Sequence, residues 1–444
     1  MALYRAASRT DRRRIGDLCE PWVGPLEKAH GEYFSAPPRG PVTGSLAGPE
    51  NETGMSRFSI AALTAALVLC ISPRPAGSAS AAPSVESASV QAAIVAAVEK
   101  DRKLFGGKTP VPGTLIGVWD SQGNSYVHGF GYADVATKRA MSAADHFRIG
   151  SNTKTFVVGV ILQLVDEGKL KLDDPLSRFS LGVTIPNAQN ITVRELCDMR
   201  SGLFEGYDTP QFDKMDFKPT THLESREIIR WAVAQKPYFP PNKEYKYTNT
   251  NYLILGVIIE SLTHDTVKNQ ITKRLIEPFG LTHTSYPTTQ AMPDPWAHGY
   301  ALDKQKNWED VSNTIPVSLM GSAGCMISDM ADIRTWIMAY VGGKVSKPAT
   351  YKQLMNVIPT GDGNLAFGLA LGESAGWYGY TGGLPGYNTA DYYFPANHTF
   401  VVAWVPLQAH DPQPGVANTI FHDIARIMTP NNVPFQMTAG KSGL

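Results

Sequence analysis

Four cysteines in 444 residues are too few for a disulfide framework. Surplus charge is also missing: Lys and Arg number 40, Asp and Glu number 40, and the formal net charge at pH 7 is zero. With no basic excess there is no electrostatic footprint for a phosphate backbone, which excludes nucleic acid as a partner. The apolar run Ile60–Ile71, about 12 residues, falls short of the ~20 needed to span a bilayer, so no transmembrane helix is expected in the mature chain. Motifs are missing as well. Without HExxH or paired CxxC, a dedicated zinc site has no support, and no metal is expected. Without G-x-S-x-G the α/β-hydrolase reading falls. Walker and dinucleotide fingerprints are absent, and no cofactor is expected.

Apolar residues make up 43% and charged residues 18%, which fits a globular protein with a sizeable core. Residues 1–54 hold no sustained period and are rich in Pro, Gly and Arg. Met55 then opens a secretory pattern: Arg57 as the charged start, Ile60–Ile71 as the apolar core, and Ala79-Ser80-Ala81 as the small-residue cleavage site. We read 1–54 as a non-native upstream extension or disordered arm, 55–81 as a signal peptide and 82–444 as the exported domain. Cys70 closes Leu-Val-Leu-Cys, but Leu69 stands where a lipid-attachment site wants a small side chain. Cys197 and Cys325 sit in apolar stretches, which favours buried thiols, and the sequence leaves their pairing open.

Along the mature chain, 90–104 has helical spacing, and 114–120 and 124–134 read as strands about the turn Ser-Gln-Gly. Residues 156–165 read as a buried helix ended by Gly168. Further helices are expected at 192–203, 223–234, 251–262, 267–279 and 326–341. The runs 365–371, 376–383, 387–395 and 399–407 are rich in aromatic and β-branched residues at hairpin spacing and read as strands. A helix at 416–428 closes the chain. The fold class expected is α+β. One antiparallel sheet flanked by helices is built from both chain ends (about 90–150 and 310–430), with a mostly helical subdomain inserted (about 155–310).

Ser151 and Lys154 stand three apart where a polar stretch becomes the apolar run. Positions i and i+3 share a helix face, so the amine lies one turn below the hydroxyl. The helix start favours an oxyanion nearby. Desolvation lowers a lysine pKa, and a lysine near neutrality can take the serine proton. Taken alone, Ser151 as a cap and Lys154 as a solvated tail is the blander reading. Two later stretches bear on it. "YKYTNTNY" holds Tyr247 and Asn249 as Tyr-x-Asn, and "GYTGGLPG" holds Tyr380-Thr381-Gly382-Gly383.

In order and spacing these three resemble the S-x-x-K, Y-x-N and K/H-T-G set of active-site-serine penicillin-recognising enzymes. Flanks such as "FRIGSNTKTF" and "SAGCMISDMADI" are similar to the branch holding class C β-lactamases, D-Ala-D-Ala carboxypeptidases, D-aminopeptidases and related esterases. The resemblance spans about residues 92–430 and implies the β-lactamase/transpeptidase-like fold. It implies Ser151 as the acylated nucleophile, Lys154 in its proton network, and Tyr247 as partner base and acid with its phenol held near ionisation. Asn249 would bind the substrate carbonyl and steady Lys154. Backbone N–H groups of Ser151 and Gly383 would form the oxyanion hole, with Thr381 and Gly382 along the substrate edge.

One position departs from the pattern: Tyr380 replaces the usual Lys or His. That weakens the expectation of carboxylate recognition, unless Lys243, Lys246 or Arg200 supplies the charge. The expected function is a secreted serine hydrolase acting on a small molecule or cell-wall peptide. It is of the carboxypeptidase, D-aminopeptidase or esterase type. A true β-lactamase, or a penicillin-binding or cell-wall interaction protein with little turnover, stands as the alternative. Mass spectrometry of the native product checks the Met55 start: peptides from before that residue are expected to be absent.

Overall fold

The computed structural model describes residues 83–407 and 415–435. The upstream extension expected over 1–54, the signal peptide expected over 55–81 and Cys70 lie outside the described residues.

Strands form from both ends of the described chain. β1 (Gly113–Trp119) and β2 (Ser125–Asp134) make a hairpin whose turn is closed by Asp120, its Oδ1 accepting from the amides of Gln122 and Asn124. β3 (Arg139–Ala140) follows on the edge. The chain then leaves the sheet. Two short pairs lie in this excursion: β4 (Phe147–Arg148) with β7 (Ile327–Ser328), and β5 (Tyr300–Leu302) with β6 (Trp308–Asp310). It returns as β8 (Ile358–Pro359), β9 (Leu365–Phe367), β10 (Gly372–Ser374), β11 (Trp377–Leu384), β12 (Tyr387–Phe394) and β13 (Thr399–Val405). The result is a nine-stranded antiparallel sheet in the order β3-β2-β1-β13-β12-β11-β10-β9-β8. The first and last strands pair at its centre, with Leu115 opposite Trp404.

Each face of the sheet buries its own core. On one side α1 (Ala88–Leu104) packs with the closing helix, whose Val416, Ile420, Phe421 and Ile424 recur at helical spacing toward the sheet. On the other side lies the helical excursion. Its axis is α2 (Thr153–Asp166), buried continuously from Thr153 to Leu162, with Phe156 stacked on Trp336 at 4.2 Å. α3 (Asn249–Thr263), α4 (Val317–Gly324) and α5 (Met330–Val341) surround it. This is the α+β architecture with an inserted helical part. Among the described residues no helix is long and apolar enough to cross a membrane.

Several boundaries differ from those expected from the sequence. The helix expected over 192–203 is only Val193–Cys197: a Thr192/Glu195 capping box starts it, and positive φ at Met199 and Gly202 prevents its continuation. The helix expected over 267–279 is α-helical through Ile271 and then widens into a π-turn at Thr272–Ile276. α4 and the β5–β6 hairpin were not foreseen, and of 365–371 only Leu365–Phe367 is strand. Cys197 and Cys325 are both free and buried.

Candidate active site

The chain enters α2 through Gly150 at φ +51°, a left-handed conformation suited to glycine. A Cβ there would stand 2.8 Å from the Gly383 amide nitrogen. Gly382 is equally constrained, since a Cβ on it would lie 2.0 Å from the Ile149 carbonyl oxygen. Two glycines thus let the nucleophile turn sit against β11. Ser151 lies in the single 3₁₀ turn Gly150–Asn152 that leads into α2.

The turn is fastened to the sheet by its next residue. Asn152 donates through Nδ2 to Thr389 Oγ1 at 2.9 Å and to Asp391 Oδ2 at 2.9 Å. The indole of Trp404 donates to the other Asp391 oxygen at 2.7 Å. Burial pushes this carboxyl up to about 8, against the pull of those donors, so it is largely neutral at pH 7.

Ser151, Lys154, Tyr247 and Asn249 converge. Lys154 Nζ is 2.9 Å from Ser151 Oγ, 2.8 Å from Asn249 Oδ1 and 2.6 Å from the Ala323 carbonyl oxygen. The Tyr247 hydroxyl donates to Ser151 Oγ at 2.6 Å. Thr248 caps α3, so Tyr-x-Asn straddles the start of that helix and both side chains face α2. The Ala323 carbonyl reaches inward because α4 breaks its helical course at Gly321, φ +40°.

Lys154 is fully buried, and desolvation lowers its amine to about 7, partly opposed by the Glu205 carboxylate. Tyr247 behaves otherwise than the resemblance implies. Burial pushes its phenol well above the ordinary value, and its hydrogen bond to Ser151 offsets only part of that, so it is protonated in the resting state. Two of the cations named as stand-ins are turned elsewhere: Arg200 donates to the Pro359 carbonyl, and Lys246 sits over the Tyr238 ring at 4.3 Å.

β11 supplies the opposite wall. Tyr380 pairs with Asp391 and Gly382 with Thr389, so these four share the face toward the Ser151 turn. Tyr380 is 4% exposed. Its hydroxyl is near enough to Tyr247 to perturb that phenol but makes no hydrogen bond of normal geometry. The Thr381 side chain is not brought in: it alternates to the far face beside Ala390, and Thr381 lines the wall through its backbone.

Sequence reasoning missed Glu205, which lies in "SGLFEGYD" with no motif to flag it. Its Oε2 accepts from the Asn249 amide N–H at 2.6 Å and from Asn249 Nδ2 at 3.2 Å. The amide expected to meet a substrate carbonyl is thus engaged by Glu205. Among the described residues His283, Asp329 and Asp332 bring metal-type ligand atoms within 4.8 Å of one another. All three are occupied in holding the fold. Asp329 caps α5 and pairs with His283, and Asp332 holds the 283–284 backbone and hydroxyl.

Comparison with known proteins agrees with this architecture. Residues 92–420 match the Beta-lactamase family, and the chain belongs to it. Its members are serine hydrolases. Protein flp of Staphylococcus aureus is 28% identical over 231 residues, 51% of this chain and 44% of that protein. The chain therefore spans under half the length of these staphylococcal relatives. A putative penicillin-binding protein, PbpX of Bacillus subtilis, is 26% identical over 298 residues, 66% of this chain and 70% of that one. Among solved structures, a D-stereospecific amidohydrolase from Streptomyces sp. superposes with TM-score 0.66 and 25% identity, covering 76% of this chain and 98% of that one. D-amino acid amidase from Ochrobactrum anthropi SV3 gives TM-score 0.68 at 21% identity, covering 77% and 99% of the two chains, a likeness of fold.

Gly382→Ala tests the glycine contact. The added methyl would stand 2.0 Å from the Ile149 carbonyl oxygen and 2.5 Å from Thr389 Oγ1, both of which must shift, so stability is expected to fall by about 1–3 kcal/mol or more, read by denaturant unfolding. Activity should fall further than the folded fraction does, because β11 and Ser151 separate.

Proposed function

We propose that this chain hydrolyses uncharged amide and ester derivatives of D-amino acids through an acyl-enzyme on Ser151. The observation that carries the substrate reading is Tyr380. A neutral, buried phenol stands where the family pattern has a cation, and a phenol offers no charge to a substrate carboxylate at pH 7. The amidohydrolase neighbour of Streptomyces, alike over nearly its whole length, supports the same class.

The chemistry follows from the hydrogen bonds. As a neutral amine, Lys154 gives its two N–H groups to Asn249 Oδ1 and Ala323 O, which turns its lone pair toward Ser151 Oγ. The amine takes the hydroxyl proton as Oγ attacks the carbonyl carbon. The developing oxyanion lies between the amides of Ser151 and Gly383, where each donor is worth about 100- to 1000-fold in rate. Protonated Tyr247 gives its proton to the leaving amine or alkoxide and is replenished from Lys154. A water then repeats the sequence on the acyl-enzyme. Export through the signal peptide starting at Met55 belongs to the same proposal and would place the enzyme outside the cell or in its envelope.

Activity in this scheme requires neutral Lys154. Its amine is lowered to about 7, so it is protonated below that pH and free above it. The pH profile of kcat/KM is expected to show an acid limb with its midpoint near 7 and loss of activity as pH falls through it. A flat profile from pH 5 to 9 rules out the amine as base.

A panel of D-amino acid amides, short-chain p-nitrophenyl esters, D-Ala-D-Ala peptides and nitrocefin tests the substrate class. Wild type is expected to prefer the first two, and Ser151→Ala to lose all turnover. Tyr380→His should raise kcat/KM on the D-Ala-D-Ala peptide relative to the neutral ester by about 10-fold or more, one charge-assisted contact. An unchanged ratio discards the account of Tyr380. Fast nitrocefin hydrolysis would instead favour a β-lactamase, and a stable penicilloyl adduct a penicillin-binding protein.

A further inference from the structure

We infer that Glu205 is a positioning residue for this site: its carboxylate fixes which way the Asn249 amide faces and, through it, seats the Lys154 amine. The inference rests on the reading of Ser151 as nucleophile and extends it to the control of its base.

An asparagine side chain fits a pocket equally well with its oxygen and nitrogen exchanged. Only one orientation suits Lys154, since an amide NH₂ turned toward the amine would set donor against donor. Glu205 selects the right one. Both Glu205 oxygens accept N–H groups here, and an Oε2 acting as acceptor takes Asn249 Nδ2 at 3.2 Å and rejects Oδ1. The same oxygen also accepts the backbone N–H of Asn249 at 2.6 Å, which ties the start of α3 to the carboxylate. Asn249 Oδ1 is then left for Lys154 Nζ at 2.8 Å.

Glu205 is itself held. Its Oε1 accepts from the Tyr207 amide at 3.1 Å, closing the turn it precedes. The carboxylate is 9% exposed and, among the described residues, forms no ion pair within 4.0 Å. The titratable groups facing it are Tyr207 and Asp208 from its own turn, Tyr247 before α3, and Lys154 from α2. Tyr238 lies beside its backbone, its hydroxyl accepting from the Glu205 N–H. Of these, only Lys154 is a cation. The aromatic rings over Lys154 are those of Tyr247 and Tyr252, at 4.9 and 5.4 Å. Glu205 thus faces Lys154 with one amide between them, an anionic neighbour for the ammonium form. Burial raises the Glu205 carboxyl above its ordinary range, while the Asn249 and Tyr207 amides and Lys154 pull it down.

The test uses the full chain and a fluorophosphonate probe, with the inactivation rate followed from pH 5 to 9. Stoichiometric labelling of wild type, absent in Ser151→Ala, establishes the nucleophile independently of Glu205. In Glu205→Gln the ammonium loses its anionic neighbour, so the acid limb is expected to move down by about one pH unit. The substituted amide can also donate to Asn249 Oδ1 and let it flip, so the plateau rate should fall by about 10-fold or more. Glu205→Asp keeps the charge and should hold the limb within a few tenths of a unit of wild type. Because Glu205 acts through Asn249, Glu205→Gln combined with Asn249→Ser should be no slower than Asn249→Ser alone. An unmoved limb in Glu205→Gln overturns the inference, whether the rate is unchanged or falls only with the folded fraction. Multiplicative losses in the double variant overturn it too. Unlabelled wild type overturns both the inference and the acyl-enzyme reading.

Discussion

The site depends on an amine buried completely in protein. An unpaired ammonium in such a place is costly by several kcal/mol, and the usual escape is loss of the proton. Lys154 is poised between the two states. As an ammonium its three N–H groups have three acceptors, Ser151 Oγ, Asn249 Oδ1 and the Ala323 carbonyl. As an amine it keeps the last two and offers a lone pair to the first. The same three atoms therefore satisfy both protonation states with no side chain moving. In the proposed mechanism that is what lets a proton enter and leave without reorganisation.

Holding those acceptors requires three separate pieces of backbone, and a fourth closes the site. α2 brings Lys154 and the serine, the start of α3 brings Asn249, and α4, broken at Gly321, brings the Ala323 carbonyl. β11 closes the far side, and it approaches because Gly150 and Gly382 lack side chains where the backbones meet. The Asn152–Thr389–Asp391–Trp404 chain of hydrogen bonds then locks the serine turn to β12 and β13. A buried carboxyl that stays largely neutral suits this role. It accepts from two donors without placing a second full negative charge beside the serine.

Much of this was legible in the sequence, for local reasons. The i, i+3 spacing of Ser151 and Lys154 puts both side chains on one face once the segment is helical, and the 3₁₀ turn leading into α2 does so. The apolar run after it could be nothing but a buried helix, and the aromatic runs at hairpin spacing gave β11 to β13 nearly to the residue. The misses are non-local. Glu205 meets Asn249 across 44 residues, and its neighbours in sequence are an ordinary mixture. α4 reads as small and apolar residues with two glycines, which carries no period to announce a helix. The expected helix at 192–203 follows propensity, but the chain must turn at Met199 and Gly202 to bring Ser201 against Asn251, where its hydroxyl donates at 2.6 Å. The protonation of Tyr247 was misjudged for the same kind of reason. Burial is a property of the assembled site, and no motif encodes it.

The electrostatics of the assembled site bear directly on what can occupy it. As an ammonium, Lys154 faces the Glu205 carboxyl group across Asn249, which offsets its field a short distance away; as an amine it offers no positive charge at all. The phenols of Tyr245, Tyr247, Tyr252 and Tyr380 are all raised by burial and are neutral at pH 7. Nearby cations are turned elsewhere: Arg148 to the Gln290 carbonyl, Arg200 to the Pro359 carbonyl, Lys246 to the Tyr238 ring. A carboxylate entering beside Tyr380 would give up its hydration and meet a hydroxyl in return, whereas a neutral amide or ester gives up far less. Discrimination of this kind needs no contact that recognises the favoured substrate. It follows from withholding the one charge that the disfavoured substrate requires.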